Sequence, residues 1–416
     1  MKYLKKVLGG ELRQYSMVIA LVAITIIFNI ISGGRMITSS NFQNLISGNA
    51  YVLVLAIGML MVIVIGQIDL SVGSVAGFAG MVMALSARDF GLPWWLAVLF
   101  ALAIGALIGA WQGFWLAKLG IPGFITTLGG WMIFRGGVIW ISKSISVPAP
   151  SELKVFGAGY LPEWGPTFTG MNNSTLLLGI IAIAAFAFTQ LRKYNRLAKL
   201  TEKTEKLWPV VVRVGLVGVV IGYLTWIFGT GRAGTSFPVP GLILAVLVII
   251  YHIITQRTRF GRHIYAVGGN KSAAALSGVN VQKTYFLTML NMSLLAALAG
   301  IMFVGRSTAA GPSDGTGWEL DAIASVFIGG AAVSGGVGTV LATMVGGLVM
   351  CVLNSGLMLM GVGADRTQVI KGLVLLAAVA FDVFNKQQGR PSIIGRLFPT
   401  KEGKSQEGNP ADKSFQ

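Results

Sequence analysis

The sequence predicts an all-α, polytopic membrane bundle of about ten to twelve spanning helices, some broken or half-length. Three observations predict it. Apolar residues make up 54% of the 416 and charged residues only 11%, with a mean hydropathy of +0.74; a soluble globular domain carries about 25% charged residues. Apolar runs of spanning length recur along the whole chain, without the alternating ten-residue segments of a β-barrel. The 56 glycines suit close helix packing and interrupted helices in lipid.

The runs fall at 15–32, 49–67, 70–86, 93–117, 121–142, 174–190, 209–228, 240–255, 284–304, 320–334, 338–360 and 368–384. The first follows a basic flank, but no small-residue cleavage site succeeds it, so it reads as a retained span rather than a signal peptide. Residues 41–48 are a candidate re-entrant segment. The run 121–142 is interrupted by Gly129-Gly130 and Gly136-Gly137 and reads as a candidate broken helix, and 320–334 is short enough to be a half-helix. A string at 71–75, SVGSV, resembles one at 336–340, GVGTV, a candidate internal repeat of the kind found in transporters.

Alternating the runs from a cytoplasmic start places 22 Lys and Arg on the cytoplasmic side and seven outside. That asymmetry orients both termini inward. It also accounts for the net charge of +17 without nucleic acid. The expected organisation is a transmembrane domain over 1–384, with an added helical hairpin at 174–228, a cytoplasmic loop at 256–283, and a polar, basic, disordered tail at 385–416.

No constellation supports catalysis or a metal. His252 and His263 have no carboxylate or cysteine cluster beside them in sequence, Cys351 is the one cysteine, and there is no phosphate-binding loop. The polar residues within and between spans carry the functional interest instead. Asp69, in GQIDLSVGSVAG, lies between two runs and reads as a helix cap for the amides of Ser71 or Val72, either a structural cap at the membrane edge or the shaper of a turn beside a translocation path. Asp321, in ELDAIASVFIGGAAVSGG, sits in the first turn of an apolar helix, where the macrodipole favours it; the glycine-rich stretch after it reads as a packed turn or a pore hinge. In IPGFITTLGG, Phe124, Thr126 and Thr127 offer an aromatic face and two hydroxyls, suited to a sugar path, although threonines in membrane helices often bond their own backbone. Arg135 reads as snorkelling or paired near the interface.

The segment 260–279, FGRHIYAVGGNKSAAALSGV, builds a helix outside the bilayer. Gly268-Gly269 reads as a turn, Asn270 as the N-cap, 271–277 as about two turns of helix and Gly278 as the C-terminal stop. Ala273, Ala274 and Ser277 form a small-residue face. The helix either lies on headgroups or docks to a partner. Its shortness and lack of large apolar anchors favour docking.

These four strings, in their order along the chain, resemble the permease subunits of bacterial ribose/xylose-type ABC sugar importers, in the branched-chain amino acid/ribose permease superfamily, over residues 36–384. The branched-chain amino acid permeases match the strings less well. The resemblance implies a membrane subunit that is not an enzyme. It implies a second permease copy, a cytoplasmic ATPase that binds the ATP, and a sugar-binding protein, with no cofactor in this chain. Gly269, Asn270, Ala273, Ala274, Ser277 and Gly278 would form the helix that contacts the ATPase. Asp69, Ser71 and Gly73, then Asp321, Gly329, Gly330, Ser334 and Gly335, would be path or hinge signatures. The added hairpin resembles the longer xylose-type members, so the expected cargo is xylose or a related monosaccharide. The alternatives are another small solute such as a branched-chain amino acid, or an ion-coupled carrier.

Overall fold

In the computed structural model, residues 12–166, 169–200, 207–231 and 234–387 are described; the expected C-terminal tail lies almost wholly outside them. Helix α1 (Leu12–Ile31) leads to α2 (Ser39–Val64), which begins where Thr38 accepts the Asn41 amide. The segment 41–48 is therefore the first part of a continuous 26-residue helix, not a re-entrant turn. Apolar on all sides, α2 is the centre of the bundle, with 78% of its spanning window buried. Helices α3 (Val72–Asp89), α4 (Trp94–Ala117) and α5 (Gly123–Ser142) follow. The two glycine pairs do not break α5. Gly130 and Gly137 face Gln112 and Phe78, while Gly129 and Gly136 face open space, and the backbone continues through all four.

A short β1 (Val147–Pro148) pairs antiparallel with β2 (Ala309–Ala310), and between β1 and the next span lie a 3₁₀ turn and α6 (Lys154–Ala158). The hairpin is α7 (Asn173–Leu200) and α8 (Trp208–Gly229), which approach closely where Gly179 meets Thr225. Only 11% of each of their spanning windows is buried within the chain. It docks on the core at one end, where Gln43 donates to the carbonyls of Phe228 and Ser236.

After α9 (Val239–Arg257) come two short helices off the bundle, α10 (Arg259–Gly269) and α11 (Lys271–Leu276), then α12 (Val281–Ser307). The run 320–334 is a half-helix. Its helical part, α13 (Trp318–Ile328), has 11 residues, about 16 Å of rise against ~30 Å of hydrocarbon. Irregular chain over 329–339 precedes α14 (Val340–Leu359) and α15 (Ala364–Gln387). Gly329 packs on Ala342 and Thr343, and Gly346 on Ser325, so α13 and α14 lie antiparallel. Eight of the described helices are long and apolar enough to span a membrane.

Candidate functional site

The chain leaves helical geometry between α2 and α3, at 65–71. Gly66 turns it with φ +82°, a conformation open to glycine without a Cβ clash. Asp69 is fully buried, and its Oδ1 accepts both the Ser71 amide at 2.8 Å and the Ser71 hydroxyl at 2.6 Å. The bond to the Ser71 amide is the expected one, but Asp69 is not the N-cap of α3: Ser71 occupies that position, and Asp69 closes the turn before it from inside the protein rather than at an exposed membrane edge. Gln112 of α4 donates to Ser71 Oγ at 2.7 Å, and Thr127 Oγ1 of α5 accepts the Leu70 amide at 3.1 Å. Gln67 Oε1 accepts the Gly123 amide at 2.9 Å, joining the break to the first turn of α5. Asp69 Oδ2, Ser74 Oγ and Gln112 Oε1 are buried without a hydrogen-bond partner. Gly73 lies where a Cβ would meet the Gly315 carbonyl and Glu319 Oε2, so its absence lets the loop before α13 rest on α3.

Thr126 and Thr127 are buried, Thr127 completely; Thr127 is bonded to this break, Thr126 donates to the Pro122 carbonyl of its own helix, and Phe124 is 53% exposed. Arg135 reaches inward rather than snorkelling, with Nη1 donating to the Asp314 and Pro312 carbonyls at 2.9 and 3.4 Å.

The second break, 329–339, is glycine-rich, with Gly330, Gly335 and Gly336 at φ +83°, +81° and +74°. Ser334 is exposed on it. Asp321 sits apart, seven residues or more before the break, and forms an ion pair with Lys371 of α15 at 2.9 Å. Its carboxylate holds the half-helix against the last helix.

On the Lys/Arg-rich side, helix α10 runs through Gly268-Gly269, where a turn was expected, and ends at Asn270. Asn270 Oδ1 accepts the Ala273 amide at 2.9 Å, and Gly278 closes α11 with φ +82°, as their types predict. The exposed surface differs from expectation. Ala274 points into the core, while Ala273 and Ser277 are outside with Leu276, a large apolar side chain 91% exposed. Arg257, Arg259, Arg262 and Lys271, in the same loop region, are all exposed. Tyr265 turns inward and donates to the Gly338 carbonyl at 2.7 Å. Burial raises its phenol pKa above the ordinary value.

The two breaks and α10 meet. The Gly336 amide donates to the Val64 carbonyl at 2.7 Å. Gly335 packs on Val64, Gly66 and Gly268, and Gly336 on Gly269. Asp69, Ser71 and Thr127 are therefore one cluster, with Gly335 and Gly269 beside the same break; Asp321 and Phe124 are elsewhere. Sequence reading missed Gln67, Gln112, Leu276 and Lys371, and read Gly268 and Gly336 only as part of a turn and of a repeat. The similar strings at 71–75 and 336–340 both lie at breaks but not in equivalent positions, since 71–75 is within α3 from its second residue and 336–340 reaches α14 only at its last. Among the described residues no three His, Cys, Asp or Glu side chains assemble a metal site.

A polytopic helical membrane protein with a half-helix, and with two non-helical segments that meet at one short helix between spans, has the build of a transport permease. The chain belongs to the family described as branched-chain amino acid transport system / permease component, whose model matches residues 40–379. It is 34% identical over 384 residues to the xylose transport system permease protein XylH of Haemophilus influenzae, covering 92% of this chain and 99% of that protein. Its identity to XylH of Escherichia coli K12 is 35% over 379 residues, 91% and 93% of the two chains. The ribose import permease protein RbsC of the same strain is 32% identical over 377 residues, 91% and 95% of the chains. No solved structure matches.

Proposed function

We propose that this chain is the inner-membrane permease subunit of an ATP-driven importer for a monosaccharide, with xylose or a related sugar as cargo. The observation that carries this reading is similarity to xylose permeases along more than nine-tenths of the chain. The hydrolysis belongs to a separate cytoplasmic ATPase, a binding protein delivers the sugar from outside, and two permease copies enclose the path. The ATPase contacts α11 through Ala273, Leu276 and Ser277, with Asn270 and Gly278 fixing the helix ends and Gly269 and Ala274 setting its seat on the bundle. Leu276 fits such a contact well, because a large apolar side chain 91% exposed gains by entering a cleft on a partner. The path runs beside the break at Asp69, Ser71 and Gly73, past the exposed face of α5 at Phe124. Thr127, with Thr126 buried beside it in the chain, braces the break from behind. Ser334 and Gly335 form a hinge, and Asp321 anchors the half-helix that carries it.

The test is reconstitution in proteoliposomes with the ATPase and binding protein that co-purify with the chain, measuring uptake of labelled xylose, ribose and leucine. ATP-dependent xylose uptake in preference to the other two is expected. Uptake of leucine alone would replace the cargo. A second reading, an ion-coupled carrier, is favoured by one observation: Asp69 is buried with one oxygen unpartnered and no ion pair among the described residues. That reading predicts uptake that survives without the ATPase and stops with a proton ionophore.

A further inference from the structure

The contact of α10 with the two breaks is made by main chain on main chain. A Cβ on Gly268 would lie 1.7 Å from the Val64 carbonyl oxygen and 2.8 Å from the Gly336 nitrogen. The Val64 carbonyl is itself the acceptor for Gly336. On the other side of Gly336, Gly269 stands with Cα and N at 2.9 and 3.0 Å from where a Cβ would be. Three segments far apart in sequence (the last turn of α2, the last turn of α10 and the turn before α14) thus share one point with no side chain between them. Two further bonds extend it. Tyr265 reaches Gly338, next to the start of α14, and Gln67 reaches Gly123, at the start of α5. Close-packed backbone has few alternative arrangements, so a displacement of one segment moves the others rather than being absorbed by rotamer changes.

We infer that Gly268, Gly336 and the Val64 carbonyl form a transmission joint through which movement of the α10–α11 element shifts both helix breaks together. The inference deepens the importer reading and rests on it for the source of the push. It assigns Gly268, Gly336 and Tyr265 a positioning role separate from the surface that meets the ATPase. Leu276 receives the force, and Gly268 passes it on.

Two measurements test it. The first needs no transport. Hydrogen–deuterium exchange of the purified chain compares the wild type with G268A and Y265F. The joint predicts faster exchange over 62–70 and 332–340 together, although neither substitution lies in those segments. Exchange altered only over 260–272 overturns it. The second uses the reconstituted complex and reads sugar taken up per ATP hydrolysed. In G268A the ATPase stays bound and active while the ratio falls about tenfold, and in Y265F, which keeps the ring and the packing, it falls roughly threefold. Leu276→Asp serves as contrast, because it loses the ATPase itself from the complex. Should G268A fail to fold, Y265F alone decides, and an unchanged ratio with unchanged exchange rules the joint out. An error in the importer reading shows up differently, as wild-type chain without ATP-dependent uptake, and the exchange experiment still decides the joint.

Discussion

The breaks at 65–71 and 329–339 do the same thing to the chain by different means. The first is held by two side chains of its own and one each from α4 and α5: Asp69 on Ser71, Gln67 on Gly123, Gln112 on Ser71 and Thr127 on Leu70. The second is held largely by backbone, with the Ala332 amide on Val337, Gly335 on Ala332 and Gly336 on Val64, around glycines at positive φ. Side-chain bonds in a buried site define one geometry and are costly to lose. Glycine turns with few side chains have more nearby conformations. The first break is thus the more tightly specified of the two, and the second has the freer backbone, carried on a half-helix that one ion pair ties to α15.

That ion pair offers the largest effect. Lys371→Met strands a carboxylate with 13% side-chain exposure, and removing one partner of such a pair costs about 3–5 kcal/mol. A marked drop in the thermal midpoint of the detergent-solubilised protein is expected, with most of it recovered by adding Asp321→Asn. A Lys371→Met protein as stable as wild type would mean that the half-helix is held by packing alone, and the second break would lose its anchor in this account.

Asp69→Ala comes next. Two donors on Ser71 lose their acceptor in a site closed to water, a cost of about 2–3 kcal/mol. Asp69→Asn retains the Oδ1 acceptor and is expected to cost less than half as much. Gly335→Ala sharpens the contrast from the other side. A left-handed alanine costs roughly 1–2 kcal/mol, and its Cβ would sit 3.0 Å from two carbonyl oxygens. Its main effect is expected on uptake rate rather than on unfolding temperature. Finding the reverse, with Asp69→Ala impairing only transport and Gly335→Ala only stability, would exchange the roles of the two breaks.

Much of this was readable in the sequence because it is local. Span length and loop charge follow from the chemistry of lipid and water, and the caps at Asn270 and Gly278 follow from residue type within a few positions. What was not readable depends on partners distant in the chain. Whether α11 presents Ala274 or Leu276 outward depends on how it rolls against α12, which no pattern in six residues determines. The glycine pairs of α5 looked like breakers because their neighbours were unknown; in place, Gly130 makes room for Gln112. Gly268 and Gly336 read as a turn and a repeat, and only their approach to Val64 separates them from other glycines in the chain. Asp321 was noticed, but its partner Lys371 is 50 residues away.

The smallest effect discriminates best between support and path. Thr127 is fully buried; its hydroxyl takes the Leu70 amide and can donate to the Ile68 carbonyl at 3.3 Å. With its polar capacity engaged inside the first break, it has little to offer a passing sugar. Thr127→Val keeps the shape and removes those bonds, at about 1 kcal/mol. The expected result is a slightly lower unfolding temperature with an unchanged apparent KM for uptake. Phe124→Ala, on the exposed face of the same helix, should do the opposite, raising the KM and leaving stability nearly as it was. A raised KM for Thr127→Val would put the path on the buried side of α5, and the first break would then be part of the conduit rather than the wall behind it.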